Sequence, residues 1–181
     1  GTEKTVVNQT NATNYLTSTN PRSDFICVTV ADYTFVLNKN QTVAMSGTTS
    51  SAKVEQAVYT VLQGVNNVEY SITIDSTTYT HTTASSGALS TKGIRDALVT
   101  AIGSPSGITI TNLGDSSFSV VKSSGTLSIS ASDGYGDQAS QVVKDEVQSF
   151  SDLPLPAINN MVVSVVGDAQ NAFDNYYVKY E

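Results

Sequence analysis

The chain has 181 residues, of which 39% are hydrophobic and 14% charged, and its formal net charge is −7. That length allows one domain of ordinary size or two small ones. No apolar run is long enough to cross a bilayer as a helix. No basic segment followed by an apolar stretch opens the chain, so no signal peptide is expected. Its cations, Lys4, Arg22, Lys39, Lys53, Lys92, Arg95, Lys122, Lys144 and Lys179, are scattered, which disfavours gripping a phosphate backbone or an anionic membrane. Charged residues usually make up about 25% of a chain. Here 23 Thr and 24 Ser supply small hydroxyls at 47 of the 181 positions instead.

Strand signals dominate in chain order. Residues 5–20 are polar, with one weak strand near Val6-Val7. Asp24–Val30 reads as a buried strand, Ala31-Asp32 as a bend, Tyr33–Leu37 as a second strand and Gln41–Met45 as a third. Residues 46–51 have linker composition. Residues 53–63 fit both helical and strand spacing; the β-branched and aromatic content of Ala57–Leu62 favours a strand. Tyr70–Ile74 alternates cleanly, Asp75-Ser76 makes a two-residue turn, and Thr77–Thr83 returns. One helix is expected over 91–102, capped by Ser90 or Thr91. It carries an apolar stripe of Ile94, Ala97, Leu98, Ala101 and Ile102, and Gly103 stops it. Ile108–Leu113, Phe118–Lys122 and Thr126–Ala131 read as strands with one covered and one wet face. Met161–Val166 and Tyr176–Tyr180 close the chain across a loop at 167–175. The sum is an α+β fold, mostly antiparallel β: β-rich segments 1–45 and 146–181, expected to pack together, around an inserted ββ(β)αβββ module at 52–145 with one main helix.

Candidate chemistry is thin. Cys27 is the only cysteine, so no internal disulfide forms, and its apolar run suits a small buried residue. His81 is the only histidine and lies in an alternating strand with no nucleophile elbow nearby. One His and one Cys cannot build a structural zinc site. Asp133-Gly-Tyr-Gly-Asp137 carries two carboxylates but too few oxygens for calcium, so a structural turn is expected. Asp168 and Asp174 bracket a loop, where acidic residues are usually only solvated. The nine tyrosines offer a sugar platform or an interface, against the ordinary strand preference of Tyr. The N-x-T sequons at Asn8, Asn11 and Asn40 are what an Asn- and Thr-rich chain produces by chance. No catalytic, cofactor-binding or metal-ligating residue is assigned, and no enzyme activity or cofactor is expected.

Two blocks carry a resemblance. Val28-Thr-Val-Ala-Asp-Tyr-Thr-Phe-Val-Leu-Asn38, followed by Thr42–Met45, is the first. The second runs through Ser132–Gln138, Val147–Pro154, Met161–Asp168 and Asp174-Asn-Tyr-Tyr-Val-Lys-Tyr-Glu181. Together they resemble the tail tubular protein B (tail nozzle) family of short-tailed, autographivirus-type bacteriophages. Members of that family are several times longer, so an N-terminal-half fragment is expected. The resemblance implies a structural protein of the virion tail. It implies a hexameric ring of copies beside other tail proteins such as the adaptor and fibres, lining the channel by which DNA leaves. DNA would pass without sequence-specific binding, and an acidic, hydroxyl-rich wall suits a conduit that must not hold phosphate. The alternative expectation is a carbohydrate-binding or adhesin-like module, motivated by the Tyr and Ser/Thr content. A glycan-degrading enzyme using Asp133 and Asp137 is third, since such chemistry needs two carboxyls about 5–9.5 Å apart.

Overall fold

The computed structural model describes residues 12–42, 52–168 and 172–181. The expected strand at Val6-Val7, the 46–51 linker and all of Gln41–Met45 beyond Thr42 lie outside the described residues. The chain divides into two compact units, Gly1–Ser51 and Ala52–Glu181, the second of which includes 146–181.

In the first unit, short helices α1 (Ala12–Tyr15) and α2 (Pro21–Asp24) precede β1 (Phe25–Val30) and β2 (Tyr33–Asn38). Pro21 opens α2, where its missing N–H costs nothing and its fixed φ suits the first turn. β1 and β2 form an antiparallel ribbon whose rungs include Ile26↔Leu37, Val28↔Phe35 and Val30↔Tyr33. Ala31 turns it at φ +50. The base of the ribbon is tied down: the Asn38 N–H donates to the Tyr15 hydroxyl (2.9 Å) and its side-chain amide to the Tyr15 carbonyl (2.8 Å). The expectation of a buried strand at 24–30 is corrected here. Ile26, Val28 and Val30 are exposed, and so is Cys27, because a two-stranded ribbon has no second layer of its own.

The second unit is a stack of sheets. Its elements are β3 (Glu55–Val61), β4 (Glu69–Ile74), β5 (Thr77–Thr82), α3 (Thr91–Ile102), β6 (Ile108–Leu113), β7 (Ser117–Lys122), β8 (Ile129–Asp133), β9 (Ser140–Val143), β10 (Glu146–Val147), β11 (Val162–Val165) and β12 (Tyr176–Lys179). From β3 to β8 this is the expected order of three strands, a helix and three strands, and the architecture is α+β with mostly antiparallel sheets. The central sheet runs β6-β7-β3-β9; a second runs β5-β4-β8; a third runs β10-β11-β12, with β10 parallel to β11.

Alternation along β3 gives the central sheet two cores. Ala57, Tyr59 and Val61 join Phe118 and Val120 of β7 against α3 and the Tyr70, Ile72 and Ile74 side of β4. Tyr59 stacks on Phe118 with ring centroids 5.0 Å apart. Val58 points the other way, into a cluster of Val143, Val147, Met161, Val163 and Val165. This corrects the expectation that β7 has a wet face. Ser117, Phe118, Ser119 and Val120 are all buried, because β7 lies between β6 and β3 in a sheet covered on both sides. β8 starts three residues later than the expected strand at 126, although Leu127 is already buried before it.

α3 forms as expected. The Ser90 hydroxyl accepts from the Gly93 N–H (3.0 Å), and Gly103, at φ +64, ends the helix with its N–H on the Val99 carbonyl. The buried stripe is Ile94, Arg95, Leu98 and Ile102, while Ala101 is exposed. The helix is thus rolled slightly from its apolar pattern, with Arg95 laid into the packed face by its aliphatic stem. The Arg95 Nε lies 2.9 Å from Asp96, yet Nε and one terminal nitrogen lack a well-aligned acceptor.

Candidate functional site

The acidic loop was the most motif-like feature of the sequence, and the structure makes it a fastener. Asp133 ends β8 and is buried. Its carboxylate accepts from the backbone N–H of Tyr135 (2.9 Å), Ala139 (3.0 Å) and Ser140 (2.9 Å), and from the Ser140 hydroxyl (3.0 Å). Its own N–H donates to Asp137 (2.8 Å), and Asp137 takes a left-handed backbone at φ +57. One carboxylate therefore pins the end of β8, at the edge of one sheet, to the start of β9, at the edge of another. Burial pushes the Asp133 carboxyl up, and the hydrogen bonds from Tyr135, Ser140 and Ala139 outweigh it, holding its pKa below the ordinary value. The Asp133 carboxylate is thus occupied as a structural acceptor, and one oxygen of the exposed Asp137 carboxylate accepts from the Asp133 N–H.

The other candidates are separate. His81 lies on β5 across from Tyr70, and no carboxylate or hydroxyl hydrogen-bonds it among the described residues. Gly167 turns at φ +49 so that a Cβ there would stand 3.4 Å from that of Asp174. Gly167 and Asp174 therefore lie close together. Among the described residues, no three His, Cys, Asp or Glu side chains converge as a metal-ligand set. Tyr59 and Tyr70 are core residues. The Tyr70 hydroxyl donates to the Gln63 carbonyl (2.8 Å) and accepts from the Val65 N–H (3.0 Å). Tyr59 has its pKa pushed up to about 12 by burial; its hydroxyl faces Ser140 without forming a well-aligned hydrogen bond. Tyr33, Tyr135, Tyr176 and Tyr177 are exposed, on the β2 ribbon, the acidic loop and β12 respectively.

The lysines of the second unit are spent internally. Lys144 bridges Glu55 (2.8 Å) and the Leu127 carbonyl (2.8 Å), while Glu55 also accepts from the Leu127 N–H (2.7 Å). Lys53 pairs with Asp145. Lys122 holds both oxygens of Asp75 (2.9 Å each) and the Thr126 carbonyl (2.8 Å). The Lys144 hydrogen bond lowers the Glu55 pKa and Lys122 lowers that of Asp75; Glu55 in turn raises that of Lys144. A cleft of about 610 Å³ lies beside these pairs, lined by Ala52–Glu55 and Val121–Gly125. Its two ammonium groups, Lys53 and Lys122, both already face carboxylates.

Comparison with known proteins decides what these surfaces belong to. The bacteriophage nozzle protein family matches residues 1–181, the whole chain. The chain belongs to that family. It is a structural protein of the bacteriophage virion, located in the tail. It is also 32% identical, over 200 aligned positions, to the tail tubular protein gp12 of Escherichia phage T7, and it spans 24% of that relative's length.

In this nozzle-family chain, the second of the two blocks that carried the resemblance supplies fasteners. Ser149 and Asp152 close a capping box, with Asp152 accepting from the Ser149 N–H (3.0 Å) and hydroxyl (2.9 Å). Gln141 of β9 donates to the Asp152 carbonyl (2.8 Å). The Tyr180 hydroxyl donates to the Pro154 carbonyl (3.1 Å), and the Tyr180 carbonyl accepts from the Asn160 N–H (2.8 Å). The Lys144–Glu55 pair had no local signal, since Glu55 opens β3 and Lys144 directly follows β9, far apart in sequence. Only the pairing of β3 with β9 brings them together.

Proposed function

We propose that this chain helps form the nozzle of a phage tail: a ring of copies, hexameric in the assembled protein, that leaves a channel for the genome. It sits beside other tail proteins, such as an adaptor and fibres, and DNA slides through without sequence-specific contact. The family match over the full chain carries this reading. The electrostatics support it: net charge is −7, and Lys53, Lys122 and Lys144 are neutralised by their own carboxylates. An acidic surface whose second-unit lysines are already paired repels phosphate and leaves it few binding points there. The role is that of a scaffold with no catalytic step.

Cryo-electron microscopy of the phage particle tests this. The expected result is this chain in a ring around the tail axis; its density lying away from the channel would end the reading. Particles assembled without it are expected to retain packaged DNA but fail to deliver it. A gel-shift titration of the 181-residue chain against duplex DNA is expected to show no retardation at physiological salt.

A further inference from the structure

Two strands of this chain, one in each unit, have an open side. β6 is an edge of the central sheet and pairs with β7 alone, rung for rung from Ile108 to Leu113. Edge strands are normally guarded by a charge, a proline or a bulge, and β6 has none of these. The Ser123 N–H donates to the Gly107 carbonyl, which sets the phase of this ladder. The N–H and carbonyl of Ile110 and Asn112 and the carbonyl of Ile108 therefore point away from β7, while the Ile108 N–H turns back to Pro105. In the ribbon, the Lys39 N–H donates to the Asp24 carbonyl, so by the same alternation Cys27 and Thr29 point their backbone groups outward from β1. The other edge of the ribbon is blocked at its base, where the Asn38 N–H donates to Tyr15. We propose that β1 of one copy adds to the β6 edge of the next copy as a parallel strand, in the register Ile26↔Ile108, Val28↔Ile110 and Val30↔Asn112. This deepens the nozzle reading by naming the joint between neighbouring copies, and it rests on that reading for the identity of the partner.

Patterning selects the direction. In the parallel register the Cys27 N–H donates to Ile108, the Ile110 N–H to Cys27, the Thr29 N–H to Ile110 and the Asn112 N–H to Thr29, all through carbonyls. Side chains then match on both faces. Phe35, Val28, Ile110 and Val120 make one apolar row on the α3 side, and Thr34, Thr29, Thr111 and Ser119 make a row of hydroxyls on the other. Antiparallel addition would instead set Cys27 or Thr29 beside Ile110 and the exposed valines beside threonines. Charge selects the occupant. Neither strand is charged, and the first unit is neutral, with Glu3, Asp24 and Asp32 against Lys4, Arg22 and Lys39. The second unit therefore holds the whole net charge of −7. Second units repel one another, whereas a neutral ribbon joins copies without setting acid against acid. A two-stranded ribbon is marginal in water by itself, and β6 supplies its third strand. The two surfaces differ, so the contact runs head to tail, and each copy both gives a ribbon and accepts one. Such a contact builds rings, where a self-matching one stops at two.

Cys27 is exposed and faces Thr109 in this register, which gives a direct test. Thr109→Cys in the 181-residue chain is oxidised at about 1 mM. The expected result is a ladder of linked copies beyond two, with Cys27 joined to the introduced thiol in the mapped peptides. The natural chain, with Cys27 alone, stops at linked pairs. Thr111→Cys would stand about 8 Å from Cys27, beyond disulfide reach, and is expected to link at least about tenfold more slowly. Thr80→Cys, on the β5 edge, measures chance collision and is expected to be as slow. Asn112→Pro, added to Thr109→Cys, removes an outward N–H and leaves the ladder to β7 intact. It is expected to slow linkage about tenfold. Equal linkage at the three positions, links confined within one chain, no ladder at all, or indifference to Asn112→Pro overturns the proposal. The linkage reads the joint and micrographs of the particle read the ring, so the joint can fail with the ring intact and the ring with the joint intact.

Discussion

The two units of this chain handle apolar surface in opposite ways. The first unit exposes it: a two-stranded ribbon with an apolar face in the open, anchored at its base by Tyr15 and Asn38. The second unit buries it on both sides of a four-stranded sheet, so that neighbouring residues Val58 and Tyr59 serve different cores. The difference is one of layers. A sheet with a layer on each face hides every apolar side chain along a strand, whereas a lone ribbon can hide almost none without a partner. The second unit therefore has the internal support for independent stability, and the ribbon has the surface for association.

Breaking the second unit should have the largest effect. Phe118→Ala removes a fully buried ring stacked on Tyr59 and is expected to cost about 4 kcal/mol in a urea titration of that unit. Asp133→Asn keeps the shape of the loop fastener but replaces a charged acceptor with an amide. It is expected to cost roughly 3 kcal/mol, as the donors of Ala139 and Ser140 lose a full partner. The same residue sharpens the comparison through pH. Its pKa is depressed in the folded state, so the stability it contributes is complete above the unfolded carboxylate value of about 4 and is lost as pH falls through the lower folded value. Urea midpoints taken between about pH 6 and pH 3 should fall for the natural chain and fall less steeply for Asp133→Asn. Ser90→Ala removes the cap of α3 and should cost about 1 kcal/mol by thermal unfolding. The smallest effect belongs to the ribbon. Thr29 and Thr34 share a hydrogen bond (3.0 Å) on its other face, and Thr29→Val should change stability by no more than about 0.5 kcal/mol.

Much of this fold was readable from local pattern, and what was not depended on neighbours. α3 has both a cap and a stop written into Ser90 and Gly103, so its bounds follow from chemistry within one turn. The hairpin of β4 and β5 likewise announces itself through alternation around Asp75, which sits at φ +53. β3 was ambiguous because a strand covered on both faces loses the polar–apolar alternation that marks a half-buried one. β7 was misread for the same reason: Ser117 and Ser119 look like a wet face until Val58 and Leu113 are seen packing on that side. Burial of Cys27 was expected from its apolar neighbours, yet burial requires a second layer, and strand composition does not encode whether one exists. The Asp133 loop was legible as a turn but not as a clamp, since its partners Ala139 and Ser140 matter only once β9 is placed beside β3.

The position of β3 has a consequence for how the unit comes into being. It is the first strand of the second unit to leave the ribosome, yet its ladder partners are Ser117–Lys122 and Ser140–Val143. Until those are synthesised, an apolar strand destined for the middle of the molecule has neither edge paired. Assembly of this unit is therefore governed by the arrival of its later half, with long loops to close before the central sheet exists. A nascent chain in that interval exposes a strand that any passing edge can claim, so the speed and order of translation bear on how much of it folds.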